Sequence, residues 1–121
     1  MTTGPQTDPG CLFCQIAAGT IPSDTLHQDD LVVAFRDIAP RAPTHILLIP
    51  RRHIASAAEL TEADGPLLGR LFGVAADLAR AGGLADAGYR LVSNVGRWGG
   101  QTVDHLHIHL MGGRAFDWPP G

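Results

Sequence analysis

The 121-residue sequence contains no lysine; all nine of its basic residues are arginines. That absence excludes a Walker-type phosphate loop, whose lysine reaches the β- and γ-phosphates, and any Schiff-base chemistry. No apolar run approaches the length of a membrane span, and the first residues lack the basic region of a secretory signal. No membrane partner is therefore expected, and the expected location is cytoplasmic. Excess charge is missing too: a formal net charge of −3 and a pI near 6.0 argue against a general nucleic-acid binder. Cysteine is confined to Cys11 and Cys14, a single C-x-x-C pair. In a cytosolic protein such a pair serves metal binding or redox chemistry rather than a structural disulfide. There is no internal repeat. One domain is expected over residues 11–121, preceded by a polar leader, residues 1–10, too poor in apolar side chains to order itself.

Residues 11–19 read as a short helix with Leu12, Phe13 and Ile16 on one side, stopped by Gly19 and Pro22. Strands are expected over residues 25–27, 31–36, 45–49 and 89–93. The third is a continuous apolar run, as in a strand covered on both faces. Between residues 59 and 83 the period becomes helical. Leu67, Leu68, Leu71, Phe72, Ala75, Leu78 and Ala79 form a stripe read as core, with Pro66 near the start and Gly82-Gly83 past the end. His27 reads as surface. The fold class is α+β, with an antiparallel sheet, one long helix and one short. Phe116 and Trp118, stiffened by Pro119 and Pro120, form a tail expected to pack on another surface, such as a second subunit.

The stretch that organises the rest is Asp104-His105-Leu106-His107-Ile108-His109-Leu110-Met111. In a strand, side chains alternate between faces, so His105, His107 and His109 share one face and Leu106, Ile108 and Leu110 the other. A helix would fan the histidines apart by about 200° per pair. A row of imidazoles backed by an apolar face offers nucleophiles, proton carriers or metal ligands. Two readings stand at this level: a metal site, or phosphate chemistry with a histidine nucleophile. Just upstream, the glycine-rich loop over residues 96–102 carries Gly100, Gln101 and Thr102, with Asn94 at its entrance. Glycines let main-chain N–H groups approach an anion, and the amide and hydroxyl side chains add donors, so the loop reads as a phosphate cradle.

The run from Gly99 to Leu110 resembles the signature of the histidine triad (HIT) superfamily, three histidines alternating with apolar residues. Phe13-Cys14-Gln15-Ile16, Ala34-Phe35-Arg36-Asp37-Ile38, Ala42-Pro43-Thr44-His45 and Ile49-Pro50-Arg51-Arg52-His53 are similar to that family in order and spacing. The ending Trp118-Pro119-Pro120-Gly121 resembles the Hint branch, the histidine triad nucleotide-binding proteins. The resemblance implies a five-stranded antiparallel sheet and a homodimer whose sheets join into one of ten strands. It also implies a purine nucleotide substrate, a nucleoside 5′-phosphoramidate hydrolysed to a nucleoside monophosphate and an amine without any cofactor. On this reading His107 is the nucleophile and forms a nucleotidyl-imidazole. His109, Asn94 and Thr102 stabilise phosphoryl oxygens, and His105 and His45 complete the polar network. Asp37 takes the ribose hydroxyls, and Leu12, Phe13, Ile16, Phe35 and Ile38 wall the base pocket, with Trp118 as a further substrate contact. Some bacterial members carry a structural zinc, and likeness to them implies ligands Cys11, Cys14, His53 and His105. The chain departs from the family pattern at Asp104, and Arg97 and Trp98 decorate its phosphate loop. The alternatives are a dinucleoside polyphosphate hydrolase of the Fhit branch, a nucleotide-binding regulatory module with vestigial catalysis, and a zinc-dependent interaction protein.

Overall fold

The computed structural model describes residues 7–121. Five strands, β1 (Thr25–Gln28), β2 (Val32–Arg36), β3 (Thr44–Pro50), β4 (Arg90–Val92) and β5 (Ile108–Gly112), pair in the order β1-β2-β3-β5-β4, every pair antiparallel. Two α-helices accompany them, α1 (Leu12–Ala18) and α2 (Gly65–Ala81). This is the expected α+β architecture. Of the expected leader, residues 1–6 lie outside the described residues, and residues 7–10 form a turn against α1 in which the Gln15 amide donates to the Pro9 carbonyl at 2.5 Å.

The apolar run of β3 has no polar break because each face of the sheet is covered. Ile46 and Leu48 pack with Val32, Ala34, Ile108 and Leu110 against Leu71, Val74, Ala75 and Ala79 of α2. Leu47 and Ile49 point the other way and pack with Val33 and Phe35 against Cys11, Phe13 and Cys14. Strand alternation thus sorts one continuous sequence pattern into two separate cores. Burying each large aliphatic side chain contributes roughly 1.5–3 kcal/mol, so both helices are tied firmly to the sheet.

Three expectations need correction. The helical period does not hold from residue 59: two 3-10 turns, Ala57–Glu59 and Glu62–Asp64, occupy the stretch before the long helix, which begins at Gly65, beside the Pro66 expected near its start. Thr61 and Asp64 cap one another there, with the Asp64 carboxylate accepting the Thr61 N–H at 2.9 Å. Such local side-chain bonds compete with helix propagation. Phe72, read as core, is half exposed. The histidine strand is also shorter than expected: β5 starts at Ile108, and only His109 of the three lies within it. The ladder with β3 ends at the pair Leu48 and Ile108, near Pro50, which has no N–H to offer. The Pro50 carbonyl instead meets the His105 ring, and the Leu106 N–H turns to the Ile54 carbonyl at 2.6 Å. The alternation survives this. Leu106 joins the α2 core, while the His105 and His107 rings lie edge-on to Phe13 of α1.

Candidate active site

The triad lies on the α1 face of the sheet, and β3 brings His45 beside it. Ring centroids stand 5.0 Å apart for His107 and His109 and 5.1 Å apart for His45 and His109. His45, His105 and His107 are buried, yet no buried side-chain polar atom among the described residues lacks a partner.

Those partners fix the tautomer of each ring, because a carbonyl can only accept and an amide N–H can only donate. His107 Nδ1 lies 2.7 Å from the His105 carbonyl, so Nδ1 carries a hydrogen, and in the neutral form of the ring Nε2 keeps its lone pair. His105 Nε2 lies 2.8 Å from the Pro50 carbonyl, which leaves Nδ1 unprotonated toward the two cysteines. At His45 the logic reverses: the Arg41 N–H donates to Nδ1 at 3.0 Å, so the hydrogen sits on Nε2. That nitrogen lies 2.9 Å from His109 Nδ1, and His109 therefore holds its own hydrogen on Nε2. Burial lowers the pKa of His45, and burial with the neighbouring His107 and His45 lowers that of His109 to about 4. Burial likewise lowers His105 to about 4. All three rings are neutral at pH 7, so these assignments apply.

A cavity of about 280 Å³ opens against this row. Leu12, Phe13 and Ile16 of α1 line one wall, Phe35, Asp37, Ile38 and Leu47 another, and Thr102, Val103, His107 and His109 the polar end. Ile38 and Leu12, both exposed, stand at the mouth. The Asp37 carboxylate accepts the Ala39 N–H at 2.8 Å and reaches to 3.4 Å from His45 Nε2. An apolar slot closing on a carboxylate, a hydroxyl and two imidazoles suits a ligand with a flat apolar end and a polar, anionic end.

Not every expected residue faces this cavity. Gln101 braces its loop, donating to the Ala55 and Val103 carbonyls at 2.7 and 2.9 Å and accepting the Gly96 N–H. With both amide hydrogens so directed, it offers no donor to an anion, contrary to the cradle reading. Asn94 donates to the Gly99 carbonyl at 2.7 Å and keeps one hydrogen free among the described residues, whereas the Gly100 N–H closes the turn onto Arg97. Trp118 is exposed and lies away from the cavity, its tail held by Arg90, which donates to the Asp117 carbonyl at 2.8 Å. The sequence reading missed Ile21, Pro22 and Ser23, which complete the cavity wall from the α1–β1 connection. An irregular connection carries no periodic signal. His27, read as surface, is half-buried and bonds the Asp29 carboxylate at 2.6 Å; the acidic residue two positions on was the available sign.

Cys11, Cys14, His53 and His105 converge, with one ligand atom of each within 4.8 Å of all the others. His105 Nδ1 lies 3.3 and 3.5 Å from the two Sγ atoms, and His53 Nδ1 lies 3.4 Å from Cys14 Sγ. Two sulfurs and two imidazoles are a tetrahedral zinc set, and the Pro50 carbonyl already turns the His105 lone pair inward. Burial raises the Cys14 thiol pKa, a cost that a bound cation would offset. The residues fit a metal. Asp37, His45 and His109 converge as closely, but there the hydrogen on His45 Nε2 occupies the position a cation would need.

Comparison with known proteins places this geometry in a family. The family model described as HIT domain matches residues 18–116. An HIT-like protein of Synechococcus elongatus is 51% identical over 110 residues, covering 91% of this chain and 96% of that one. The purine nucleoside phosphoramidase of Escherichia coli K12 is 50% identical over 103 residues, 85% of this chain and 87% of that one. A crystal structure of a HIT family hydrolase from Legionella pneumophila superposes with a TM-score of 0.91 at 51% identity, covering 93% of this chain and all of that one. The chain belongs to the histidine triad family.

Proposed function

We propose that the protein is a hydrolase of purine nucleoside 5′-phosphoramidates. The observation that carries this reading is the orientation of His107, with Nδ1–H held by the His105 carbonyl and the Nε2 lone pair left free in a ring that lines the cavity. A neutral imidazole so held is ready to attack phosphorus without first losing a proton. In the proposed reaction, a bond forms between Nε2 and the α-phosphorus. The P–N bond breaks with its electron pair on nitrogen, which takes up a proton and departs as the amine. Water then adds to phosphorus and releases a proton, balancing the one taken up by the amine, the bond to Nε2 breaks, and the nucleoside monophosphate leaves. The His109 Nε2–H, Thr102 and the free hydrogen of Asn94 are proposed to bond the phosphoryl oxygens, with most effect as charge builds in the transition state. Asp37 would accept the ribose hydroxyls, and Phe13, Ile16 and Phe35 would hold the base. The E. coli relative's substrate class supports this reading.

The Cys11–Cys14–His53–His105 cluster is proposed to hold a structural zinc. Four protein ligands would leave no open position, so its part would be to tie the start of α1 to His105. The proposed assembly is a homodimer. β4, only three residues long, is an edge strand with a side unpaired among the described residues, which supports sheet extension.

The test offers adenosine 5′-phosphoramidate and a diadenosine polyphosphate side by side, with His107→Ala as control. Release of the monophosphate from the phosphoramidate, lost in the variant, is expected. Cleavage of the dinucleotide alone would sink the proposal, as would nucleotide binding without turnover of either compound.

A further inference from the structure

Beyond β5 the chain crosses the turn that leads into β3. It does so at Gly113, whose φ is +89° and where an added Cβ would stand 2.8 Å from Pro43 Cβ. Both the backbone conformation and the close approach require glycine there. Arg114 follows, and its guanidinium clamps the turn. Nη2 and Nε donate to the single carbonyl oxygen of Arg41 at 3.1 and 3.4 Å. The guanidinium lies over the Phe116 ring, 4.1 Å from its centroid, and Arg90 approaches the same ring at 4.9 Å. Two cations on one aromatic ring fix the arginine that grips Arg41.

The Arg41 main chain is also what sets His45. Its N–H is the donor that puts the His45 hydrogen on Nε2, and that hydrogen in turn makes His109 Nδ1 an acceptor. One residue's main chain therefore lies between a guanidinium outside the cavity and the tautomer of an imidazole inside it. Were the Arg41 N–H to swing away, His45 could carry its hydrogen on either nitrogen. His109 would follow, and its Nε2 could then present a lone pair where an anionic oxygen needs a donor.

We infer that Arg114 is a positioning residue: by clamping the Arg41 carbonyl it keeps the Arg41 N–H on His45 and thereby the His109 hydrogen on Nε2. It touches no substrate and acts only through the turn. The functional consequence rests on the phosphoryl role proposed for His109, but the tautomer lock belongs to the resting protein and is tested there.

Two-bond proton–nitrogen spectra of the imidazoles in the full chain report which nitrogen of each ring carries hydrogen. In the parent protein, His45 and His109 should both show the Nε2–H form and His107 the Nδ1–H form. In Arg114→Ala, the His45 and His109 signals should move toward averaged tautomers, while His107, held by the His105 carbonyl, should not. Turnover of the phosphoramidate should fall about tenfold in kcat, with KM within about twofold, as for a misaimed donor rather than a lost binding contact. Arg114→Lys, which retains a donor for the Arg41 carbonyl, should restore most of both readouts. It also serves as the second variant if alanine unfolds the turn. Unchanged His45 and His109 tautomers in Arg114→Ala, a parent protein with the His109 hydrogen on Nδ1, or a loss confined to KM would each overturn the inference. If the tautomers shift as expected but the parent hydrolyses no phosphoramidate, the lock stands and the proposed function falls.

Discussion

Acidification offers a direct measure of how strongly the fold resists charging its central histidines. His109 would take its proton at 6.5 in an ordinary setting, but burial and the neighbouring His107 and His45 push this to about 4. Between those values the unfolded chain binds a proton that the folded chain refuses. Stability is therefore full above pH 6.5, falls as pH drops toward 4, and levels off below. A gap of roughly 2.5 pH units at about 1.36 kcal/mol each sets a ceiling of about 3 kcal/mol, most of which is lost by pH 4.5. His45 shares a hydrogen bond with His109, so the loss belongs to the pair rather than to one ring. His109→Gln keeps a polar side chain that cannot titrate. Urea unfolding of parent and variant between about pH 7.5 and 4.5 then isolates the effect, because groups such as His105 titrate with the same sign in both proteins and cancel. The parent should lose about 2 kcal/mol more than the variant over that range. Parallel stability curves would refute the reasoning and show that the folded protein admits the proton as readily as the unfolded chain.

Three further outcomes follow from the packing and the site. His107→Ala should lower kcat for the phosphoramidate at least about a thousandfold while nucleotide still binds; steady-state rates within tenfold of the parent would remove the nucleophile assignment. Leu48→Ala, at a fully buried position in the α2 core, should cost about 3 kcal/mol, whereas Phe72→Ser on the outer face of α2 should stay within about 0.5 kcal/mol; denaturant midpoints in the reverse order would contradict the core described above. Metal analysis of purified protein should find about one zinc per chain, and Cys14→Ser should remove most of it; full occupancy in that variant would mean the metal sits elsewhere.

The two-faced pattern of residues 105–110 was legible in the sequence because alternation needs only local geometry, and it sorted histidines from aliphatic residues correctly. The start of the strand was not legible. That depends on Pro50, more than fifty positions away, lacking an N–H and giving its carbonyl to a histidine ring. The donors in the glycine loop were visible as residue types, but their targets were not: Gln101 turns inward to Ala55, 46 residues earlier. The Arg41 N–H left no trace in the sequence at all, since every residue except proline has one. Ile38 and Leu12 were placed at the cavity, but nothing in their chemistry foretold that both would sit at its exposed mouth.

The partners that orient His45, His105 and His107 are main-chain groups of Arg41, Pro50 and His105 itself. An amide or carbonyl survives almost any exchange of the side chain attached to it. The protonation pattern of the centre is consequently shielded from sequence drift at residues 41 and 50. It is exposed instead to changes in backbone path: a deletion in the turn before β3, or a proline at residue 41, could disarm the centre while every histidine remained in place.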